Sequence, residues 1–455
     1  MAEETGKMAR PDPEGLRGRV NDVMPRVQEN LEKLVRIPSI ALEGFPSEPV
    51  EETASAVVEM FKASGVPEAT LIDIPNGPRA VYVERPAPPG APTVLLYGHY
   101  DVQPPGKEQD WASPAFQPTI RGGRMYGRGA ADCKSNVCAH AGALAVLGDD
   151  CPVGVKVLIE GEEEAGLGTL ESFVPAHPDL VDADVIVVAD TGNVKVGAPT
   201  FTTSLRGMAV VNVTVETLAG AIHSGMYGGV APDALIALIH MLATLHDEKG
   251  NVAVKGLESV AYSGVDMNEA DYRVNAGVLP GVDLIGDGSV AERLFARPSV
   301  TVIGMDVPTV EEAASALIPS AKARVSARLA PGQNPQDARA ALKHHFESVA
   351  PWHVKVTIED GPVGEGFYAK TDGHGYDVAR RAMQEAYGNQ AVTFGQGGSI
   401  PLVSVFQSTV PKAEIIMWGT EEPVCKIHAP NESVDLDELK RCVLTETLFL
   451  AELAA

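Results

Sequence analysis

The sequence lacks long hydrophobic runs, paired cysteines and an excess of positive charge. Apolar runs such as residues 185–189 are far shorter than the about 20 residues of a transmembrane helix, so we expect no membrane span. The five cysteines form no CxxC pair, which argues against a disulfide framework or a structural zinc knot and favours a reducing, cytoplasmic setting. Residues 1–7 carry charges with no apolar stretch behind them, so we expect no secretory signal.

The charge balance is strongly acidic. The chain has 36 Lys and Arg against 61 Asp and Glu, for a formal net charge of −25. Such a surface repels phosphate backbones and anionic lipids, so we expect no nucleic acid and no membrane as the main partner. The 455 residues, 45% of them hydrophobic and 21% charged, are typical of a folded protein of two or three domains. A chain of this size can enclose a catalytic site.

The first part of the chain alternates extended and helical patterns. Nearly continuous apolar runs at residues 81–83, 93–97, 155–160 and 184–189 predict strands that are covered on both faces. An Ala- and Leu-rich helix is predicted over residues 136–147, between the second and third of these strands. Strands separated by helices indicate an α/β domain with a largely parallel sheet.

The alternation of buried strands and helices ends at about residue 205. Within the region that follows, residues 250–297 predict no clear element. The elements predicted in this region are a strand at 208–217, a helix from Pro232, strands at 300–305 and 323–329, a helix at 335–349 and a strand at 353–359. Their order is that of a ferredoxin-like sandwich. We therefore predict a catalytic domain in two segments, residues 1–205 and 364–455, and an inserted α+β domain over residues 206–363.

Histidine and acidic residues follow the C-terminal ends of predicted strands. They are His99 and Asp101 after the strand at 93–97, Glu162 to Glu164 after the strand at 155–160, Asp190 after the strand at 184–189, and His428 after a further strand predicted at 414–418. Asp132 lies in a loop between the strands at 93–97 and 155–160. Ligands of open α/β sheets bind beyond these strand ends, so the side chains could converge. Imidazole and carboxylate are typical ligands of zinc and manganese. Singly, each residue has a structural explanation, such as Asp132 capping the helix behind it, but their shared placement favours a site.

Several motifs resemble those of the di-metal (cocatalytic zinc/manganese) metallopeptidases. The motifs are Gly98-His99-Tyr100-Asp101-Val102-Gln103-Pro104, Gly127-Arg128-Gly129 with Asp132 and Lys134, Glu163-Glu164-Ala165-Gly166, His223-Ser224-Gly225 and Gly397-Gly398-Ser399-Ile400-Pro401. The family includes carnosinases, cytosolic non-specific dipeptidases, aminoacylase, and the acetylornithine and succinyl-diaminopimelate deacylases. The resemblance spans nearly the whole chain, and the sequence around His99 is most similar to that of the dipeptidase branch.

The resemblance implies two divalent metal ions per subunit, Zn²⁺ or Mn²⁺. The implied ligands are His99 and Asp190 for one ion, Glu164 and His428 for the other, and Asp132 for both. A metal-bridging hydroxide would complete the charge balance and attack the substrate amide. The resemblance makes Glu163 the general base, and makes Asp101 the acceptor for the second ring nitrogen of His99.

The inserted domain would supply the remaining residues as a lid and dimerisation domain. His223 resembles the family histidine that reaches across a homodimer interface to stabilise the oxyanion in the neighbouring subunit. Arg328 matches the family arginine that receives the substrate carboxylate, a task that suits a planar guanidinium. Gly398 and Ser399 would add backbone and hydroxyl donors for the substrate. A surface histidine and a surface arginine are the plainer explanations of His223 and Arg328.

The leading hypothesis is therefore a cytoplasmic di-metal dipeptidase or short-peptide exopeptidase. An N-acyl-amino-acid deacylase with the same site is the alternative, and a non-catalytic ligand-binding relative is a third. Cys133 and Ser135 depart from the family pattern next to Asp132, where the dipeptidase branch often has aspartate and glycine. Neither change removes an implied ligand, but the native metal and the preferred substrate stay open.

Overall fold

A computed structural model describes residues 12–398 and 400–455 of the chain. The predicted substrate-binding Ser399 and the N-terminal residues 1–7 lie outside the described residues. The α-helices are α1 (Pro13–Val35), α2 (Glu48–Ala63), α3 (Lys134–Leu147), α4 (Thr169–Phe173), α5 (Ser224–Tyr227), α6 (Ala234–Ala243), α7 (Glu269–Asn275), α8 (Val290–Phe295), α9 (Pro335–Ser348), α10 (His374–Tyr387), α11 (Pro401–Thr409) and α12 (Leu436–Glu452).

The strands belong to one large sheet and several smaller ones. They are β1 (Thr70–Ile72), β2 (Ala80–Arg85), β3 (Thr93–His99), β4 (Thr119–Arg121), β5 (Arg124–Tyr126), β6 (Gly154–Glu160), β7 (Val185–Val188), β8 (Thr200–Leu205), β9 (Gly207–Glu216), β10 (Ile222–His223), β11 (Ser299–Asp306), β12 (Ala316–Leu317), β13 (Ser320–Leu329), β14 (Lys355–Gly364), β15 (Phe367–Tyr368), β16 (Val392–Gln396), β17 (Glu414–Met417) and β18 (Ser433–Asp435).

Contacts divide the chain into two compact units. One comprises the described residues up to Thr203 together with Ala369–Phe394 and Leu402–Ala455, and the other comprises Ser204–Tyr368 and the described part of Gly395–Pro401. The domain boundaries expected at 205/206 and 363/364 stay a prediction.

The first unit is built on a mixed sheet whose centre is parallel. Its strand order is β1-β2-β6-β3-β7-β17-β8, in which β6, β3, β7 and β17 run parallel, whereas β2 and β8 pair antiparallel with their neighbours. All residues of β6 and β7 are buried, as expected for strands covered on both faces. The predicted α/β class with a largely parallel sheet is confirmed.

Helix α3 lies at the core of this unit and is buried on almost every side. It packs against α1 and α12 and contacts β3, the strand that ends at His99. Helix α1 presents Leu16, Val20 and Leu31 to this core at helical spacing, and begins after Asp12, whose carboxylate accepts the Glu14 N–H. Helix α1 has no counterpart among the elements predicted from the sequence.

The second unit contains a four-stranded antiparallel sheet in the order β11-β13-β9-β14. With α6 between β9 and β11, and α9 between β13 and β14, this is a ferredoxin-like arrangement, as predicted. Val211, Val213 and Val215 of β9 pack into its core with Leu238 of α6 and Leu342 of α9.

The sequence prediction differs from the structure in some element boundaries. Strand β14 was predicted to end at residue 359 but continues to Gly364, because a bulge between Asp360 and Val363 accommodates the Gly-Pro pair. Helices α7 and α8 lie in the segment for which no element was predicted. Within the described part of the chain, no helix combines the length and apolar character needed to cross a bilayer.

Candidate active site

The central strands bring the predicted ligands to one edge of the sheet. His99 ends β3 and pairs in register with Glu160 at the end of β6, and Val188 at the end of β7 is paired with Met417 at the end of β17. Because these four strands are parallel, the residues that follow them leave the sheet on the same side. Asp132 lies at the same edge, just before the first turn of α3, where a carboxylate interacts favourably with the helix dipole.

His99 and Asp132 form the first half of the site together with Asp190. The His99 ring nitrogen Nε2 lies 3.0 Å from Asp132 Oδ1 and 3.1 Å from Asp190 Oδ1. All three side chains are buried. The His99 ring nitrogen and these two carboxylate oxygens could therefore bind one cation between them.

Asp132 also contacts the second half of the site. Its other oxygen, Oδ2, lies 3.0 Å from Nε2 of His428, and Glu164 Oε2 is 3.0 Å from the same nitrogen. His428 itself is exposed, and its φ of 61° places it in the left-handed region. The structure therefore brings together the five predicted ligands, with Asp132 between the two histidines.

The donor set fits divalent cations. The coordinating atoms of Asp132, Glu164 and His428 all lie within 4.8 Å of one another, as do those of His99, Cys133 and Asp190. Nitrogen and carboxylate oxygen atoms are the usual ligands of zinc and manganese. In the described part of the chain, no lysine or arginine forms an ion pair with these carboxylates, so positive charge has to come from elsewhere.

The pKa values of the two histidines show how strongly the site attracts positive charge. Hydrogen bonds to Asp132 and Glu164 raise the pKa of His428 to about 10. Burial opposes charge on His99, but Cys133, Asp190 and the neighbouring aspartates together raise its pKa well above the usual value. Burial likewise opposes ionisation of Asp132, yet its hydrogen bonds with His428 and His99 hold its pKa low. The carboxylates that raise the pKa values of both histidines therefore also favour a bound cation.

Asp101 lies behind His99 and is completely buried. The main-chain oxygen of Asp101 lies 3.1 Å from His99 Nδ1, and its carboxylate Oδ1 is 3.3 Å from the same nitrogen. Because Oδ1 makes no aligned hydrogen bond, the main-chain oxygen is the better acceptor. The other carboxylate oxygen accepts the Glu164 N–H at 3.0 Å, so Asp101 contacts both halves of the site.

Glu163 belongs to neither of these two sets of coordinating atoms, which distinguishes it from its neighbour Glu164. It is half-buried, and burial together with the nearby negative charge of Asp190 raises the pKa of its carboxyl well above the usual range. A carboxylate with raised pKa is a better proton acceptor at neutral pH than an ordinary glutamate. Its role as the general base stays a prediction.

The remaining predicted residues belong to the second unit. His223 is exposed on β10, and its Nδ1 accepts the Gly225 N–H at 3.1 Å. Arg328 is half-buried on β13 beside Arg206, whose buried guanidinium donates to the Arg328 main-chain oxygen at 3.0 Å. Gly398 is exposed. Their roles toward the substrate stay predictions.

Glu421 is a further acidic residue at this site that was not predicted from the sequence. Its carboxylate lies within 4.8 Å of the coordinating oxygens of Asp132 and Asp190, and burial followed by these two charges raises its pKa well above the usual value. The main chain of Glu421 lies against Gly192, where a Cβ atom would come within 2.1 Å of the Glu421 oxygen. Glu421 follows the end of β17, so the strand-end rule that found the other ligands could also have found it.

Comparison with known proteins agrees with this geometry. The sequence profile of Peptidase family M20/M25/M40 matches residues 95–452, a range that contains the five predicted ligands and Glu163. The chain belongs to peptidase family M20/M25/M40. It is similar to the cysteinylglycine-S-conjugate dipeptidase of Corynebacterium striatum, with 37% identity over 407 residues that cover 88% of this chain and 89% of the relative.

Solved structures show the same fold. The crystal structure of human carnosine dipeptidase 1 superimposes with a TM-score of 0.80 at 23% identity, covering 98% of this chain and 100% of the other. The YXEP protein of Bacillus subtilis, described as a dinuclear metal binding peptidase from the M20 family, gives a TM-score of 0.61 at 13% identity, covering 95% of this chain and 99% of the other. As an M20 family member, the protein is a hydrolase of peptide bonds, and the predicted resemblance is confirmed.

Proposed function

We propose that this M20 family member is a di-metal dipeptidase that cleaves the amide bond of free dipeptides or short peptides. The observation that carries the proposal is the position of Asp132, whose two oxygens contact His99 on one side and His428 on the other at 3.0 Å. The dipeptidase relative from Corynebacterium striatum supports the choice of substrate class.

We infer that two divalent ions, Zn²⁺ or Mn²⁺, occupy the site formed by the five predicted ligands. One would be held by His99 and Asp190, the other by Glu164 and His428, and Asp132 would contact both. When bound, such ions polarise the scissile carbonyl and make a water molecule more acidic. The side chain of Gln103 supports this arrangement, because its amide donates to Glu164 Oε2 at 3.0 Å and keeps that oxygen directed toward His428.

Glu163 moves the proton in this proposal. Its carboxylate accepts a proton from the attacking water and then donates it to the nitrogen of the departing amine. Asp101 fixes the orientation of the His99 ring through Nδ1, so that Nε2 remains directed toward Asp132 and Asp190.

Arg328 would receive the carboxylate of the substrate. The neighbouring Arg206 is buried, its Nε has no hydrogen-bond partner among the described residues, and burial together with Arg328 lowers its pKa to about 10. Two adjacent guanidinium groups favour an anion, and the planar fork of Arg328 matches a carboxylate. Gly398 and Ser399 would supply further donors to the substrate.

We propose a cytoplasmic homodimer that pairs through the inserted unit, which serves as the lid domain. Strand β11 is an edge strand with Ile303 57% and Met305 41% exposed, and such an unpaired apolar edge favours association with a second copy. His223 would then act on the substrate bound by the neighbouring subunit. Mixed dimers of inactive His223→Ala and Glu163→Gln chains should recover part of the activity, whereas confirmed mixing without recovery would contradict a shared site.

A substrate panel tests the proposed activity. The purified protein, loaded with zinc or with manganese, is offered free-amine dipeptides and the matched N-acetyl amino acids, and the released amine is measured. We expect cleavage of the dipeptides. Cleavage of only the acetylated substrates would replace the proposal with a deacylase, and hydrolysis of neither set would indicate a binding protein.

A further inference from the structure

Glu432 lies four residues after His428 and has no role in the proposed reaction. Its side chain is completely buried, and its two oxygens accept three main-chain N–H groups of the loop that carries Asp132. Oε1 accepts from Ala131 at 3.0 Å and from Asp132 itself at 3.1 Å, while Oε2 accepts from Gly129 at 3.0 Å.

A buried arginine completes the set of donors around Glu432. Arg128 Nη1 donates to Glu432 Oε2 at 2.6 Å, and Nη2 of the same guanidinium donates to the Pro104 main-chain oxygen at 3.2 Å. Each carboxylate oxygen therefore accepts two hydrogen bonds. A buried carboxylate with this many donors is held in one position, because any movement would leave N–H groups without an acceptor.

Main-chain hydrogen bonds also connect the loop that carries Asp132 to the loop that carries His428 and Glu432. The Glu432 main-chain oxygen accepts the Gly127 N–H at 2.9 Å, and Ser433 then pairs with Tyr126 as β18 joins β5. The loop of Asp132 and the loop of His428 are thus connected immediately beside the contact between Asp132 Oδ2 and His428 Nε2.

We propose that Glu432 is a positioning residue that sets the spacing of Asp132 and His428 before metal binds. The inference rests on the proposed di-metal site. Among the described residues, Glu432 forms no hydrogen bond with a coordinating side-chain atom. It acts through the main chain of the loop that carries Asp132 and through its own position on the loop that carries His428. Without it, the loops would have to be ordered at the moment of metal binding, which weakens the affinity.

The test is the metal affinity of Glu432→Gln. The amide keeps the size of the side chain, but its NH₂ group faces two donors in place of one of the oxygens. We expect the dissociation constant for Zn²⁺ or Mn²⁺, measured by competition with a chelator, to rise about 10–100-fold. Saturating metal should restore most of the turnover, because the reacting groups are intact.

Glu446→Gln is the matched control. Glu446 of α12 is also completely buried in the first unit, and its carboxylate lies 2.8 Å from Nδ1 of His140 on α3. Its replacement should lower the melting temperature without changing the metal dissociation constant. Equal metal affinity in Glu432→Gln, Glu446→Gln and the parent protein would overturn the proposal and leave Glu432 a purely structural residue.

Hydrogen exchange of the parent protein provides a second test, which applies even if Glu432→Gln fails to fold. The amides of Gly129, Ala131 and Asp132 should be protected in metal-free protein to the same extent as in loaded protein. Rapid exchange of these amides until metal is added would contradict a preformed loop. Both readouts concern metal binding, so a protein that binds metal normally but cleaves no dipeptide would refute the proposed function and leave this inference standing.

Discussion

Three consecutive glutamates offer a sharp prediction, because the structure gives each a different environment. Glu164 is a proposed ligand, Glu163 the proposed base, and Glu162 is a buried residue that accepts the Leu170 N–H at 2.7 Å at the start of α4. The perturbation is the same in each case, a glutamine that preserves size and removes the charge.

Glu163→Gln should lower kcat by about 10²–10⁴, which corresponds to about 2.7–5.4 kcal/mol of barrier. The metal content should not change, because Glu163 is not among the clustered coordinating atoms. Burial and Asp190 raise the pKa of Glu163, so its ionised form destabilises the fold at neutral pH. The metal-free variant should therefore unfold at a higher temperature than the parent, even though it has lost activity.

The two neighbouring substitutions serve as controls. Glu164→Gln should lose bound metal as well as activity, whereas Glu162→Gln should keep both and lose about 1–3 kcal/mol of stability through its weakened hydrogen bonds. The assays are steady-state dipeptide hydrolysis, metal analysis and thermal unfolding on the same preparations. Unchanged turnover in Glu163→Gln, or loss of its metal, would refute the assignment of the base.

Three further substitutions test other parts of the molecule. Arg328→Ala should lower kcat/KM for dipeptides about 10–100-fold but leave dipeptide amides unaffected, and equal losses for both substrates would exclude carboxylate recognition. Burial raises the pKa of Glu160, which is hydrogen-bonded to Tyr97, from 4.5 to about 8. The folded state then binds more protons than the unfolded state between these values, so the stability of metal-free protein should fall as pH rises through this window. Glu160→Gln should reduce this pH dependence of the free energy of unfolding, measured in urea titrations. The same pH dependence in the variant and the parent would contradict the raised pKa of Glu160. Cys133→Ser should weaken Cd²⁺ binding relative to Mn²⁺ in chelator competition, because the thiol lies among the coordinating atoms of His99 and Asp190; an unchanged ratio would show that its sulfur does not bind.

The parallel centre of the fold was predictable because burial leaves a direct mark on the sequence. Strands β3 and β6 were predicted over residues 93–97 and 155–160 and extend over Thr93–His99 and Gly154–Glu160. A buried run carries no information on strand direction, so the antiparallel pairing of β2 with β6 could not be inferred from it.

The candidate site was predictable to the extent that its residues follow strand ends. His99 and Asp190 obey that rule, and so does Glu421, which was overlooked although the same rule covers it. Glu432 had no comparable signal. Its partners are main-chain N–H groups about 300 residues earlier in the chain, and a single glutamate in a polar loop does not reveal such contacts.

The number of metal ions bound per chain tests the central claim most directly. Elemental analysis of the parent protein and of Asp132→Ala, after dialysis against zinc or manganese at defined free concentrations, measures this number. Because Asp132 contacts both histidines, we expect two ions per chain in the parent and at most one in the variant. One ion or none in the folded parent at saturating metal, or two in Asp132→Ala, would contradict a two-ion site in which Asp132 is a ligand of both ions.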